Sequence, residues 1–485
     1  MTLHIGIDIG TSGVKAVLMD GVAKVLAEAA RPIPVSIPHL GWSEQSADLW
    51  VEAVFDCLDQ MKTAAPFLMS GVVGIGLSGQ MLTALVLDAG HKPLRPAMLW
   101  TDQRALAECE DLRRLCPDIG LRTNGAPDPG ITLPKLMWLA KHEPRVMDAG
   151  RLLLLPKDYV RLALTGNIAS EPTDAGGTQL LDCRSGQWDA GLCALVGWNP
   201  DYLPPLLASW DAAGKLRPAL AARWGLKAGV IVAAGAGDNM ASTLGVGAAK
   251  PGDAVLTVGT SGVACIVDHA FHPGPQKAIL TSAHAAPNTY LSMGVVMSAT
   301  ATLDWVLRLT GTDTITLVAE AEAFASAGRL ADAPIMLPCL TGIRTPLNRP
   351  DAMGRIDGLH PGTTRGMLGY AVMEGVAFQF ATCLAAQRSV GVMPARFSMV
   401  GGGSKSGLWA RLLATALNAA INLPPGAHIS GPAGAARLAA VAAGESFDIL
   451  SEPTGKGRII DPDPAISGLL AERFARFKGM LPAQG

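Results

Sequence analysis

At 485 residues, 49% of them hydrophobic and 16% charged, the chain can bury two to four cores and is too apolar for extended disorder. Its 39 basic and 41 acidic residues leave a net charge of −2, without the basic footprint of a nucleic-acid partner. Eight scattered cysteines without a Cys-x-x-Cys pair read as reduced, buried thiols; no basic residue precedes the first apolar stretch, and no apolar run reads as a membrane span, so a cytoplasmic protein without a membrane partner is expected.

The first strand, Ile5-Gly6-Ile7-Asp8-Ile9, runs through the turn Gly10-Thr11-Ser12-Gly13 into Val14–Asp20, a β-hairpin. Backbone N–H groups of such a turn form an anion nest suited to phosphate, and Asp8, itself an anion, would hold a hydrated Mg²⁺ that bridges phosphate oxygens. Lys15, on the outgoing strand, meets either solvent or phosphate. An amphipathic helix is expected over Asp48–Met61 with Ser46 as its cap, then a buried strand Val72–Leu77 ending in Ser78-Gly79-Gln80-Met81-Leu82. After Met98-Leu99-Trp100-Thr101, Asp102 and Arg104 allow two readings: a capped helix with an exposed Arg, or a carboxylate that accepts hydrogen bonds from polyol hydroxyls. Leu133–His142 reads as helix, and Ala169–Thr178 as a polar loop of the kind that carries function.

A short strand, Val230–Ala234, is closed by Gly235-Ala236-Gly237 and presents Asp238 and Asn239 at its carboxyl end. Alone, Asp238 would be a helix cap. Against that stands an internal repeat: Gly259-Thr260-Ser261-Gly262-Val263 copies Gly10-Thr11-Ser12-Gly13-Val14, again between two apolar strands, as in a duplicated two-lobed protein with Asp238 at the junction. His269 and His272 have no further ligand beside them and carry no metal site. A long helix is expected over Arg365–Gln387. Phe397–Val400 then runs into Gly401-Gly402-Gly403-Ser404, where missing side chains let a flat ligand approach, and Gly431-Pro432-Ala433-Gly434 opens a helix of small residues built for tight packing.

Ile7-Asp8-Ile9-Gly10-Thr11-Ser12-Gly13, Trp42-Ser43-Glu44-Gln45, Ser78-Gly79-Gln80-Met81, Leu99-Trp100-Thr101-Asp102, Leu155-Pro156-Lys157-Asp158-Tyr159, Gly237-Asp238-Asn239, Val258-Gly259-Thr260-Ser261-Gly262, Arg344-Thr345-Pro346 and Gly401-Gly402-Gly403-Ser404 stand in the order found in the FGGY carbohydrate kinases, which the chain resembles over nearly its whole length. The resemblance implies an α/β protein of two actin-like (ribonuclease H-like) lobes around a central cleft, residues 1–246 mainly for the sugar and 247–485 mainly for ATP. It implies Asp238 as catalytic base and Asp8 as the Mg²⁺ residue. Gly10, Thr11, Ser12, Gly13 and Lys15 with Gly259, Thr260 and Ser261 would meet phosphates, and Gly401, Gly402, Gly403 and Ser404 the nucleoside. Gln80, Met81, Leu82, Asp102, Asp238 and Asn239 would meet the sugar.

ATP and a sugar are the expected partners, with a homodimer left open, and D-xylulose is expected ahead of D-ribulose, L-xylulose or a pentitol. Family members that take ketopentoses carry His where Leu82 stands and Glu where Ile343 stands, and the first departure touches the sugar pocket. An actin-like nucleotide sensor would share both hairpins but has no need of Asp238, Asp102 and Asn239, and a sugar-binding pseudoenzyme would have lost Asp8 or Asp238. Phosphoryl transfer must exclude water, so the lobes are expected to close, with Gly235–Gly237 and Gly434 absorbing the rotation.

Overall fold

The repeated hairpins seed two copies of one sheet in a computed structural model that describes residues 2–21, 24–453 and 455–482. The first sheet runs Ala212–Lys215, Ile231–Ala233, Val72–Gly79, Leu3–Ile9, Gly13–Asp20, Lys24–Pro32, with Ala236–Gly237 also paired to Val72–Gly79. The second runs Leu280–Ala283, Tyr290–Val296, Gly262–Asp268, Asp253–Val258, Arg396–Val400, Ile421–Leu423, Arg458–Ile460. In each, the strand before the glycine turn pairs antiparallel with the strand after it and parallel with one that returns much later: Leu3–Ile9 with Val72–Gly79, and Asp253–Val258 with Arg396–Val400. This is the duplicated two-lobed α/β architecture, and both turns lie at the carboxyl ends of central strands, where such sheets hold ligands.

The helices at Ala47–Ala64, Thr132–His142 and Arg365–Arg388 lie where periodicity predicts them. Three local expectations change. Ser46 occupies the N-cap position of the first helix, but its side chain makes no capping bond. The polar stretch Ala169–Thr178 is no exposed loop: Ser170, Glu171, Thr173, Asp174 and Thr178 are all buried, because the Glu171 carboxylate accepts the N–H groups of Thr173 and Asp174 and starts a helical turn. Arg365–Arg388 does have the length and composition of a membrane span, with mean hydropathy 1.3 over 18 residues, yet 83% of that window is buried. It is apolar all round because Tyr370, Val376, Phe378 and Cys383 face the second lobe's core from several sides.

The two halves exchange a helix. Asp238–Gly245 follows the first sheet in sequence, yet Met240, Ala241 and Leu244 join a core with Val255, Cys265 and Val267 of the second sheet. Ser430–Ala442 lies in sequence between the second sheet's strands Ile421–Leu423 and Arg458–Ile460, yet packs on Leu3–Ile9 and Val72–Gly79 of the first. Only glycines permit that approach: a methyl on Gly6 would overlap the Pro432 carbonyl, and one on Gly76 the Ala435 carbonyl. Where the exchanged helices cross, a methyl on Gly434 would overlap the carbonyl of Ala241, and one on Gly245 that of Ser430. Gly434 is therefore a packing contact where the two exchanged helices cross.

Gly76→Ala should destabilise the protein by about 1–3 kcal/mol or more, because the neighbour to be displaced is backbone. Gly468→Ala, in a helix with open space around the added carbon, should be neutral or stabilising. Chemical denaturation of both variants checks this, and equal midpoints would contradict it.

Candidate active site

Strand register brings the first carboxylate its neighbours. Asp8 pairs with Ser78 on one side and Lys15 on the other, and Ser78 Oγ donates to Asp8 Oδ1 at 2.5 Å. The second oxygen abuts the start of the exchanged helix: a Cβ built on Gly431 would lie 2.8 Å from Asp8 Oδ2. A helix N-terminus favours negative charge there. Burial pushes the Asp8 carboxyl above its ordinary range, while the Ser78 hydroxyl and the Lys15 ammonium pull it back.

Asp238 opens the other exchanged helix. The N-cap position belongs to Gly237, so Asp238 is not the cap; its Oδ1 instead accepts the Asn239 backbone N–H at 2.7 Å and Asn239 Nδ2 at 2.9 Å. Burial, and after it the charge of Asp8, raise its pKa to about 7, against the two Asn239 donors. A carboxylate poised there can take a proton near neutral pH. Asn239 thus attaches to the carboxylate, whatever else it meets.

The tips of the two glycine turns, Ser12 and Thr260, are exposed, and the first turn begins two residues after Asp8. Their first N–H groups are not free for phosphate, as the nest reading had them: Gly10 N–H donates to the Gly13 carbonyl and Gly259 N–H to the Ser261 carbonyl, each at 3.0 Å, which closes the turns. The Thr11 hydroxyl donates to Gln80 Oε1 at 3.0 Å and accepts from Trp100 Nε1 at 2.8 Å. Lys15 is exposed on its strand, with Nζ 3.4 Å from the His428 carbonyl. Gly401 and Gly403 pack on the end of the strand before the second turn, a Cβ on Gly403 falling 2.5 Å from Val258 Cγ1. Gly402 is exposed with nothing within 4 Å of an added Cβ, an open face for a planar ring. Ser404 Oγ turns back to the Gly401 carbonyl at 2.7 Å.

Across the cleft, Met81 backs onto Gly237, a Cβ there falling 2.7 Å from its Sδ, and Leu82 onto Gly177, with Cδ2 at 2.8 Å. Leu82 itself has φ 67°, left-handed and rare for leucine. Gln80 is buried, and its amide donates to Gln45 Oε1 at 3.0 Å. Asp102 departs from the hydroxyl-binding expectation. It is wholly buried and accepts from Ser43 N, Arg104 N, Arg104 Nε and Arg104 Nη2 at 2.7–3.0 Å, leaving no open oxygen for a sugar. Arg104 is likewise buried, 3.6 Å from the centre of the Trp42 ring, and not on an exposed face.

Two groups of residues stood in motifs of the sequence with no role assigned to them. Lys157, completely buried, pairs with Asp158 at 2.7 Å, Glu171 at 3.2 Å and Asp174 at 3.4 Å, and Glu171 accepts from Thr173 Oγ1, which itself accepts the Gly237 N–H at 2.9 Å. This cluster holds the backbone just before Asp238; its signals in the sequence were the Lys157-Asp158 motif and the polar stretch Ala169–Thr178, neither of which told what it would hold. Arg344 reaches Asp128 at 3.0 Å, joining the lobes beside a cavity of about 420 Å³ lined by Trp100, Gln103, Met297 and Ile343. All eight cysteines are buried and unpaired. His269 and His272 both face Asp268, and among the described residues no group of three or more potential ligands is poised for a metal ion.

The raised pKa of Asp238 has a sign. Its neutral form fits the fold, so that contribution to stability is complete below the ordinary carboxylate range and is lost as pH rises through about 7. Asp238→Asn keeps a neutral group at every pH, so its melting temperature relative to the parent should climb between pH 5 and pH 8. A pH-independent difference would contradict this environment.

Comparison with known proteins agrees along the chain. The family model "FGGY family of carbohydrate kinases, N-terminal domain" matches residues 3–245, and its C-terminal counterpart matches residues 254–443. The chain is 37% identical over 442 residues to a xylulose kinase of Escherichia coli (strain K12), covering 91% of this chain and 90% of that one. A xylulose kinase of Bacillus subtilis (strain 168) is 32% identical over 458 residues, covering 93% and 90%. Among solved structures, a xyloylose kinase from Brucella ovis superposes with TM-score 0.93 at 39% identity, covering 99% of each chain, and a xylulose kinase from Rhodospirillum rubrum with TM-score 0.90 at 29%, covering 99% and 98%. Two interlocked sheets with paired glycine turns, a carboxylate poised near neutrality and family matches to both halves lead to one conclusion: the chain belongs to the FGGY family of carbohydrate kinases.

Proposed function

We propose that the protein transfers the γ-phosphoryl group of ATP to a hydroxyl of D-xylulose, giving D-xylulose 5-phosphate and ADP. The observation that carries this reading is Asp238 at the start of an exchanged helix, its Oδ1 held by two Asn239 donors and its pKa pushed up to about 7 by burial and by the charge of Asp8. Support for the substrate comes from relatives that carry the name xylulose kinase and span about nine-tenths of the chain.

A sugar hydroxyl is a poor nucleophile. In this reading Asp238 takes its proton as the oxygen attacks the γ-phosphorus, the bond to the β,γ-bridging oxygen breaks, and ADP leaves. The two Asn239 donors fix the carboxylate so that its other oxygen faces the acceptor, and Met81 and Leu82 supply an apolar wall. The two glycine turns flank the phosphates, and Gly402 offers its open face to the nucleoside. We take the cytoplasm, where ATP is held, as the setting.

Mg²⁺ fits the residues present: Asp8 is a hard oxygen donor whose charge already burdens Asp238, and fewer than three protein ligands suit an ion that keeps water and phosphate oxygens. When bound it would neutralise charge on the phosphates. Asp8 would hold it, oriented by Ser78.

Asp238→Ala should retain ATP and sugar binding yet lose about 10²–10⁴-fold in kcat, the worth of a positioned base. ADP release measured beside calorimetric binding checks this, and a near-normal kcat would remove Asp238 from the chemistry. Asp8→Asn should require far more Mg²⁺ for half-maximal turnover, and an unchanged Mg²⁺ titration would refute its role. The acceptor is decided by kcat/KM over pentuloses and pentitols: Leu82 cannot hydrogen-bond a hydroxyl, so a rival preferred tenfold or more over D-xylulose would replace the substrate without touching the kinase assignment.

A further inference from the structure

We infer that Lys135 is a positioning residue for acceptor recognition: its ammonium holds Leu82 in the left-handed conformation and fastens together three segments on the sugar side of the cleft. This rests on the kinase reading above and assigns one residue the control of the acceptor wall. Lys135 lies on the helix Thr132–His142 and is wholly buried. Nζ donates to the carbonyl oxygens of Gly130 at 2.6 Å, Leu82 at 3.0 Å and Met98 at 3.2 Å. Among the described residues no carboxylate comes within ion-pair distance of it. Burial pushes its pKa down to about 7, Asp102 and Asp128 pull upward, and Arg104 adds to the lowering. Three acceptors match the three protons of an ammonium, and no other side chain can donate three bonds from one atom. A buried amine held in this way, by carbonyl oxygens and with no carboxylate in ion-pair contact, serves the geometry of what it binds.

Each anchored carbonyl belongs to a segment of the cleft. Leu82 is the acceptor wall, and the Thr132 hydroxyl gives its carbonyl a second bond at 3.0 Å. A leucine at φ 67° stays there only where its surroundings impose it, and here two donors grip the carbonyl of that residue. Met98 leads to Trp100, which donates to the Thr11 hydroxyl of the first phosphate turn. Gly130 packs beneath the Trp100 carbonyl and donates its N–H to Asp128, the residue paired with Arg344 of the other lobe. Without the ammonium the Leu82 carbonyl is left with the Thr132 hydroxyl and the Met98 carbonyl with the Ala84 N–H, and Leu82, gripped by one donor in place of two, relaxes toward an extended backbone, moving the wall.

A double-mutant comparison tests this. Lys135→Met should raise KM for the acceptor at least tenfold while leaving KM for ATP, and kcat at saturating acceptor, within about threefold. In a Leu82→Gly background the same change should raise the acceptor KM less than threefold, because glycine takes a left-handed backbone unaided. Equal rises in both backgrounds, or a parallel rise for ATP, would overturn the inference. Should Lys135→Met not fold, Lys135→Gln is read by the same ratios, and failure of both to fold would overturn it by making the role fold-wide. The kinase reading is judged separately on the parent's own turnover. Ratios are taken with whichever pentulose or pentitol the parent phosphorylates fastest, and a parent that phosphorylates none overturns both.

Discussion

The structure depends on a crossing of two helices that leaves no room for a methyl group. Asp238–Gly245 and Ser430–Ala442 each leave the half of the chain that precedes them and lie against the other sheet, meeting backbone to backbone at Gly434 and Gly245. Asp238–Gly245 follows the strand Ala236–Gly237 directly and Ser430–Ala442 follows the 3₁₀ turn Ala427–Ile429, and each N-terminus meets a carboxylate. At one stands Asp238 and against the other stands Asp8. Active-site geometry and lobe assembly are therefore one packing problem, and a substitution at Gly6, Gly76 or Gly434 would disturb both.

The second constraint is charge in a chain that is poor in it. Asp8 and Asp238, each partly buried, lie close enough for the charge of the first to raise the proton affinity of the second, a poor arrangement for a resting protein and a useful one for a base. The surroundings contain this cost without removing it. Ser78 and Asn239 bind the carboxylates, while the Lys157, Asp158, Glu171 and Asp174 cluster pins the backbone before Asp238. On the sugar side the design differs: Arg104 binds both Asp102 and Glu44, Asp102 also accepts the Ser43 N–H, and the Lys135 ammonium is held by carbonyl oxygens. Buried charge in this lobe acts on the backbone around it more than on open space.

What could be read from residues in order was whatever short-range rules encode. The copied glycine turn between apolar strands announced the duplication, and strand-end glycines marked Asp8 and Asp238. Helical periodicity gave Ala47–Ala64 and Arg365–Arg388 to within a few residues. The small residues of Gly431–Ala436 foretold tight packing, though not against which sheet. Tertiary structure alone decided the partners. Ser78 meets Asp8 across 70 positions, Arg344 meets Asp128 from the other half of the chain, and Pro432 rests on Gly6. Asp102 and the first N–H of each turn looked free in sequence because an unpaired donor or acceptor is visible there only as a residue type, and whether it is engaged depends on neighbours that folding supplies. Leu82 shows the same limit: its side chain was legible as a lost hydrogen bond, whereas its left-handed backbone, and the buried ammonium 53 positions away that grips it, exist only once the chain has closed around them.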